Sequence, residues 1–107
     1  MDKEMSLLLN KVRDVAKGSI PEGGQLYLYG SRARGDNRSE SDWDFLILLN
    51  KDKIEKSDYD EISFPITLLG WELGQDFVPV LYTFKNWDER RSSLFYHNVT
   101  SESIRII

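Results

Sequence analysis

Asp42 and Asp44 stand two residues apart in Ser41-Asp42-Trp43-Asp44, just ahead of the apolar run Phe45-Leu46-Ile47-Leu48-Leu49. Strand side chains alternate faces with a period of two, so both carboxylates project from one face and Trp43 from the other. Two neighbouring anions repel each other unless they lie in water or a divalent cation sits between them. Hard cations such as Mg²⁺ take one or two carboxylates together with substrate phosphate oxygens. Two such ions, about 3.5–4 Å apart, hold the attacking and leaving oxygens of a phosphoryl displacement. Upstream lies Gly30-Ser31-Arg32-Ala33-Arg34-Gly35. Gly30 ends a strand and Ser31 opens a helical turn, whose free N–H groups favour anions. The Ser31 hydroxyl adds a donor, Arg32 and Arg34 add positive charge, and Gly35 lets the chain leave sharply. An anion cradle ahead of a carboxylate pair describes a site for a nucleoside triphosphate with its metal.

Neighbouring motifs fail on spacing. Gly30 and Gly35 have P-loop separation, but Asp36-Asn37 stand where Lys-Ser/Thr is required. Read as an EF-hand loop, the stretch from Asp36 to Ile47 puts Arg38, Ser41 and Ile47 at positions that need an oxygen ligand, glycine and glutamate. No Cys is present, which excludes thiolate zinc and a thiol nucleophile, and one His excludes a histidine cluster. A net charge of −4 disfavours broad nucleic-acid binding. The longest apolar run has five residues, too few for a membrane span, and no signal-peptide pattern opens the chain. These features describe a soluble cytoplasmic protein, and 107 residues without a dividing linker describe a single domain over 1–107.

The elements that must position the motifs are legible from periodicity. Met5, Leu8, Leu9, Val12, Val15 and Ala16 form one stripe of a helix from about Lys3 to Lys17, with Gly18 as its stop. Gln25 to Tyr29 reads as a strand, Ser31 to Ser41 as a helical turn plus loop, and Asp42 to Leu49 as a second strand. A second long helix starts at Ser57, with Asp60 completing a capping box, and ends at Gly74. Pro65 should kink or shift it. Its apolar residues form two sets, Ile62/Ile66/Leu69/Leu73 and Phe64/Leu68/Trp71. A helix apolar on two faces is deeply buried or partner-bound, and the second set is a possible contact with another chain, including a second copy. Asp76 to Phe84 reads as a third strand, where Pro79 implies an edge or a bulge. Asn86 opens a short helix, and Ser103 to Ile107 a short strand. The link between strands one and two is too short for an ordinary parallel crossover. The expected fold is therefore α/β (α+β), a mixed sheet with helices packed on it.

The Gly-Ser-x-Ala-Arg-Gly turn followed by Ser-Asp-x-Asp resembles the signature of the DNA polymerase beta nucleotidyltransferase superfamily, and the length resembles its minimal nucleotidyltransferase domains. The resemblance runs from Gly30 to Asp44, with a weaker match at Asp76. It implies that Gly30 and Ser31 bind phosphate; Arg32 and Arg34 join them as nucleotide-binding candidates by their charge. Asp42 and Asp44 would bridge Mg²⁺, two ions in all, and Asp76 would be the third carboxylate, ligating metal and helping to deprotonate the attacking hydroxyl. Gln75 stands where the family has an apolar residue, so the match at Asp76 is half kept. The implied reaction moves a nucleoside monophosphate, AMP from ATP or its equivalent from another NTP, onto an acceptor hydroxyl. Family members of this size often partner a small helical HEPN-type protein, and some act as antitoxins by attaching AMP to its tyrosine. The rival readings are a catalytically silent protein that neutralises its partner, and an enzyme acting on a small molecule or an RNA end.

Overall fold

The computed structural model describes residues 2–107. The elements run α1 (Lys3–Ser19), β1 (Gln25–Tyr29), α2 (Ser31–Arg34), β2 (Trp43–Leu49), α3 (Lys56–Asp58), a π-helical turn (Tyr59–Ser63), α4 (Phe64–Glu72), β3 (Phe77–Thr83), α5 (Phe84–Asp88), α6 (Leu94–Glu102) and β4 (Ile104–Arg105). The strands form one sheet in the order β3-β2-β1-β4. β1 is antiparallel to β2 and β4, and β2 is parallel to β3. The mixed sheet expected from the short β1–β2 link is the sheet observed.

β2 is buried from Phe45 to Leu49 because both faces of the sheet are covered. Its odd-numbered residues Trp43, Phe45, Ile47 and Leu49 join Leu26, Leu28, Phe77 and Leu81, under Leu9, Val12 and Ala16 of α1 and Ile66 of α4. Its even-numbered residues Leu46 and Leu48 meet Trp87 and Val99, with Tyr27, Tyr29, Val80, Tyr82 and Tyr96 around them. Asp44 belongs to this second face, at the start of the strand. β3 is an edge strand, so Pro79 leaves no inner ladder bond unmade. Its register with β2 is unbroken from Trp43–Phe77 to Leu49–Thr83, so the edge rather than the bulge accommodates the proline.

The second helix departs from expectation in two ways. It starts at Lys56 on a Glu55–Asp58 capping box, not on Ser57 and Asp60. Asp58 sets that frame. It is buried, accepts from the Glu55 N–H at 2.7 Å and holds the Lys51 ammonium at 2.9 Å. Burial pushes its carboxyl up, and those two donors more than reverse this, holding it below the ordinary value. The helix is also interrupted. The π turn restarts it at Phe64, which puts Pro65 in the first turn of α4, where its missing N–H leaves no bond unmade. Ile62 and Ile66 are buried, and Leu69 and Leu73 pack on the core. Phe64 is 48 % exposed, Leu68 40 % and Trp71 60 %, so the second apolar set faces outward.

Two boundaries also move, and one helix is new. Asp76 precedes β3 instead of opening it. Phe84 leaves the strand and begins α5, because Thr83, fully buried, accepts from the Asn86 N–H at 3.0 Å and caps the helix there. α6 was not expected; Ser93 caps it, and its helical amphipathicity is weak. Among the described residues no helix is long and apolar enough to cross a membrane.

α4 approaches β3 closely at Gly70, where a Cβ would lie 2.7 Å from Phe77 Cγ and 3.0 Å from the Gln75 carbonyl oxygen. Gly70→Ala should therefore destabilise the fold by about 1–3 kcal/mol through overpacking. The expected result in urea is a lower midpoint with an unchanged slope.

Candidate active site

β1 delivers Tyr29 directly opposite Asp44 on β2. The chain then turns at Gly30, whose φ of +78° suits glycine alone. A Cβ there would also collide with Asp44 Oδ2. Backbone conformation and close approach thus both require glycine, and the Asp44 carboxylate lies directly against the turn. Ser31 and Arg32, the first two residues of the short α2, have N–H groups that no helical carbonyl can accept. Among the described residues the Ser31 hydroxyl has no hydrogen-bond partner either. Gly30, Ser31, Tyr29, Asp44 and Arg34 line a cavity of about 360 Å³, closed on its far side by Phe95, Asn98, Val99 and Glu102 of α6.

The Asp44 carboxyl is pushed above its ordinary value, first by burial and then by the charge of Asp42; Glu102 adds to the rise and Arg34 opposes it. Tyr29 is pushed up to about 12, again by burial first and then by Asp44. Asp42, just ahead of β2, is exposed.

The two arginines are engaged elsewhere. Arg32 donates to the carbonyls of Ser39, at 3.1 Å, and Ser41, at 3.0 Å, and its guanidinium lies over the Trp43 ring at 4.5 Å. It braces the loop that presents Asp42. Arg34 is paired with Asp36 at 3.2 Å and Glu102 at 3.0 Å. Both guanidinium groups thus have partners within the chain, and Arg34, about half exposed, also lines the cavity.

Asp76 lies at the mouth of the sheet, where its carbonyl accepts from the Trp43 N–H at 2.8 Å. Counting back from the Asp44–Val78 pair puts Asp76 beside Asp42, on the same side of the sheet. It does not line the cavity at the turn. Gln75, the residue that departs from the family pattern, accepts from the Trp43 indole N–H at 2.9 Å and so ties the two strand starts together. Among the described residues no three His, Cys, Asp or Glu side chains group closely enough to hold a metal ion. The donors that do adjoin, Asp42 and Asp44, suit a hard cation completed by water and phosphate oxygens.

Sequence reasoning missed Glu102. Its Oε2 accepts from the Gly30 N–H at 2.6 Å, a contact across 72 residues that no local spacing announces.

A mixed sheet carrying a Gly-Ser turn beside an acidic strand start is the nucleotidyltransferase architecture. The chain belongs to the nucleotidyltransferase domain family, whose model matches residues 9–99, and its class is accordingly that of a transferase. Solved structures share the fold. One is a toxin–antitoxin complex with AMP-PNP, at 21 % identity and a TM-score of 0.66 over 92 % of this chain and 72 % of that one. A second is a tri-AMPylated HEPN toxin from Shewanella oneidensis in complex with an MNT antitoxin, at 19 % and 0.61 over 95 % and 71 %. A third is the toxin–antitoxin pair MntA–HepT, also at 19 % and 0.61 over 95 % and 71 %. No curated protein matches the chain.

The raised Asp44 carboxyl has a stability consequence. A carboxyl whose folded value lies above its unfolded one favours the fold when protonated and opposes it once ionised. Asp44→Asn should raise the thermal midpoint at pH 7 by a few degrees, and this gain should fade as the pH falls through the ordinary carboxylate range. Calorimetric melting of both proteins between pH 3 and pH 7 checks it.

Proposed function

We propose that this chain transfers AMP from ATP to a hydroxyl of a protein partner, a tyrosine of a small helical HEPN-type protein, and thereby acts as an antitoxin in the cytoplasm. The observation that carries the reading is the Asp44 carboxylate held against the unused donors of the Gly30–Ser31 turn. It brings an anion-binding turn and one carboxylate of the acidic pair to a single cavity, with Asp42 exposed two residues earlier. The likeness to complexes that hold AMP-PNP or a tri-AMPylated HEPN toxin supports the choice of partner and nucleotide. The exposed Phe64, Leu68 and Trp71 supply an apolar face on which that partner, or a second copy, would dock.

In this reading the N–H groups of Ser31 and Arg32 and the Ser31 hydroxyl hold the triphosphate. Asp42 and Asp44 would hold Mg²⁺, two ions in the two-metal form, and the bound ions would supply positive charge for the phosphate oxygens. The acceptor oxygen attacks the α-phosphorus, the bond from that phosphorus to the bridging oxygen of the β-phosphate breaks, and pyrophosphate leaves. The hydroxyl proton passes to a carboxylate, Asp76 by its place beside Asp42. Fixed dipoles aimed at the developing charge supply most of the rate. The position of Asp76 ahead of β3, with Gln75 at the place of the family's apolar residue, favours the second reading, a silent protein that neutralises its partner by binding.

ATP labelled at the α-phosphate, Mg²⁺ and a small helical HEPN-type partner test both. Wild type should label the partner, and Asp42→Asn should cut labelling by at least about 100-fold while still binding it. A wild type that binds without labelling supports the silent reading, and label in RNA or a small molecule moves the acceptor there. Sedimentation velocity tests the docking face: Trp71→Glu should abolish the complex while leaving the fold intact.

A further inference from the structure

We infer that Glu102 is the positioning residue of the phosphate turn, an inference that rests on the nucleotide reading of that turn. A single oxygen, Oε2, accepts from the Gly30 N–H at 2.6 Å and from Arg34 Nη1 at 3.0 Å. Gly30 precedes α2 and Arg34 ends it. One carboxylate therefore clamps both ends of the turn.

The clamp is rigidly mounted. Glu102 is the last residue of α6, which is anchored on the sheet through the buried Val99. Two residues later the chain enters β4, where Ile104 pairs with Leu28. β4 is thus bonded to the same strand that ends at Gly30. The Glu102 side chain is only 15 % exposed, so its geometry is set by packing on both sides.

A carboxylate beside an anion-binding turn has two possible effects: it competes with phosphate, or it shapes the turn. The donors decide between them. Glu102 takes the Gly30 N–H and the Arg34 guanidinium. It leaves the Ser31 and Arg32 N–H groups and the Ser31 hydroxyl untouched, and these are the donors a phosphate needs. It also pairs with Arg34 at the wall of the cavity, where Asp36 is the second partner of that guanidinium. Glu102 thus takes the Gly30 N–H and Arg34, two donors expected to face phosphate, and by fixing them leaves the Ser31 and Arg32 donors open. Charge-assisted hydrogen bonds to backbone N–H groups are short and strong, which suits a fixed post.

The experiment is a calorimetric titration of the full chain with ATP and Mg²⁺, and separately with inorganic tripolyphosphate and Mg²⁺, for wild type, Glu102→Gln and Glu102→Ala. Glu102→Ala should weaken both ligands by about tenfold, the loss expected for a charge-assisted bond. Glu102→Gln keeps a neutral acceptor in place and should recover part of that loss. Partial rescue by the isostere, at matched thermal midpoints, separates positioning from general destabilisation. Unchanged or tighter binding in either folded variant overturns the inference while leaving the nucleotide reading intact, and tighter binding would make Glu102 a competitor. Should Glu102→Ala fail to fold, Glu102→Gln alone decides, with weaker binding expected. A folded wild type that binds neither ligand overturns both.

Discussion

The contact between Gly30 and Asp44 is the constraint around which the site is organised. A carboxylate can rest against that turn only if β1 and β2 run antiparallel in one register, with Tyr29 facing Asp44. It also requires a residue without a side chain at the end of β1. The sheet supplies the register by burying β2 on both faces, so that a slip of one residue would move Leu46 and Leu48 away from Trp87 and Val99. The core thus does more than stabilise the chain: its hydrophobic pattern sets where the carboxylate lies.

The charges around that contact are unbalanced. Asp42, Asp44 and Glu102 stand near the turn, and the two arginines of α2 are already committed to a loop and to carboxylates. A triphosphate approaching this assembly meets donors from the backbone and repulsion from the side chains. Coulomb repulsion between groups only a few ångströms apart is substantial once part of the water is removed. In the proposed reading, a cation shared by the Asp42–Asp44 pair would offset that repulsion. Burial of an acidic group against a like charge opposes the fold, a common feature of residues kept for chemistry.

The local motifs were legible because their physics is local. Glycine and serine at a strand end, two acids with period two and a short link that excludes a parallel crossover all read directly from spacing. The two-faced helix was also legible, since Ile62/Ile66 and Phe64/Leu68/Trp71 divide at helical spacing as they do in the fold. What escaped depends on partners distant in sequence. Glu102 meets the turn only after the chain has returned through α6. The frame of α3 follows from the buried Asp58, which Lys51 and the Glu55 N–H hold, and which outranks the weaker Ser57–Asp60 pattern. The arginines were assigned to phosphate on charge alone, whereas Arg32 finds Trp43 and two carbonyls within reach of its fork.

Trp43 explains how three separate acid-bearing segments keep a common geometry. It sits between Asp42 and Asp44 and points to the opposite face, into the core beneath α1 and α4. Its ring carries the guanidinium that braces the loop before Asp42, its indole N–H binds Gln75, and its backbone N–H binds the Asp76 carbonyl. The polar Gln75 that breaks the family pattern thereby acquires a reason: an apolar residue there would leave a largely buried indole N–H without this partner. A side chain facing away from the chemistry thus couples the turn, the strand start and the edge strand, so that Asp76 stays beside Asp42 although β3 has not yet begun.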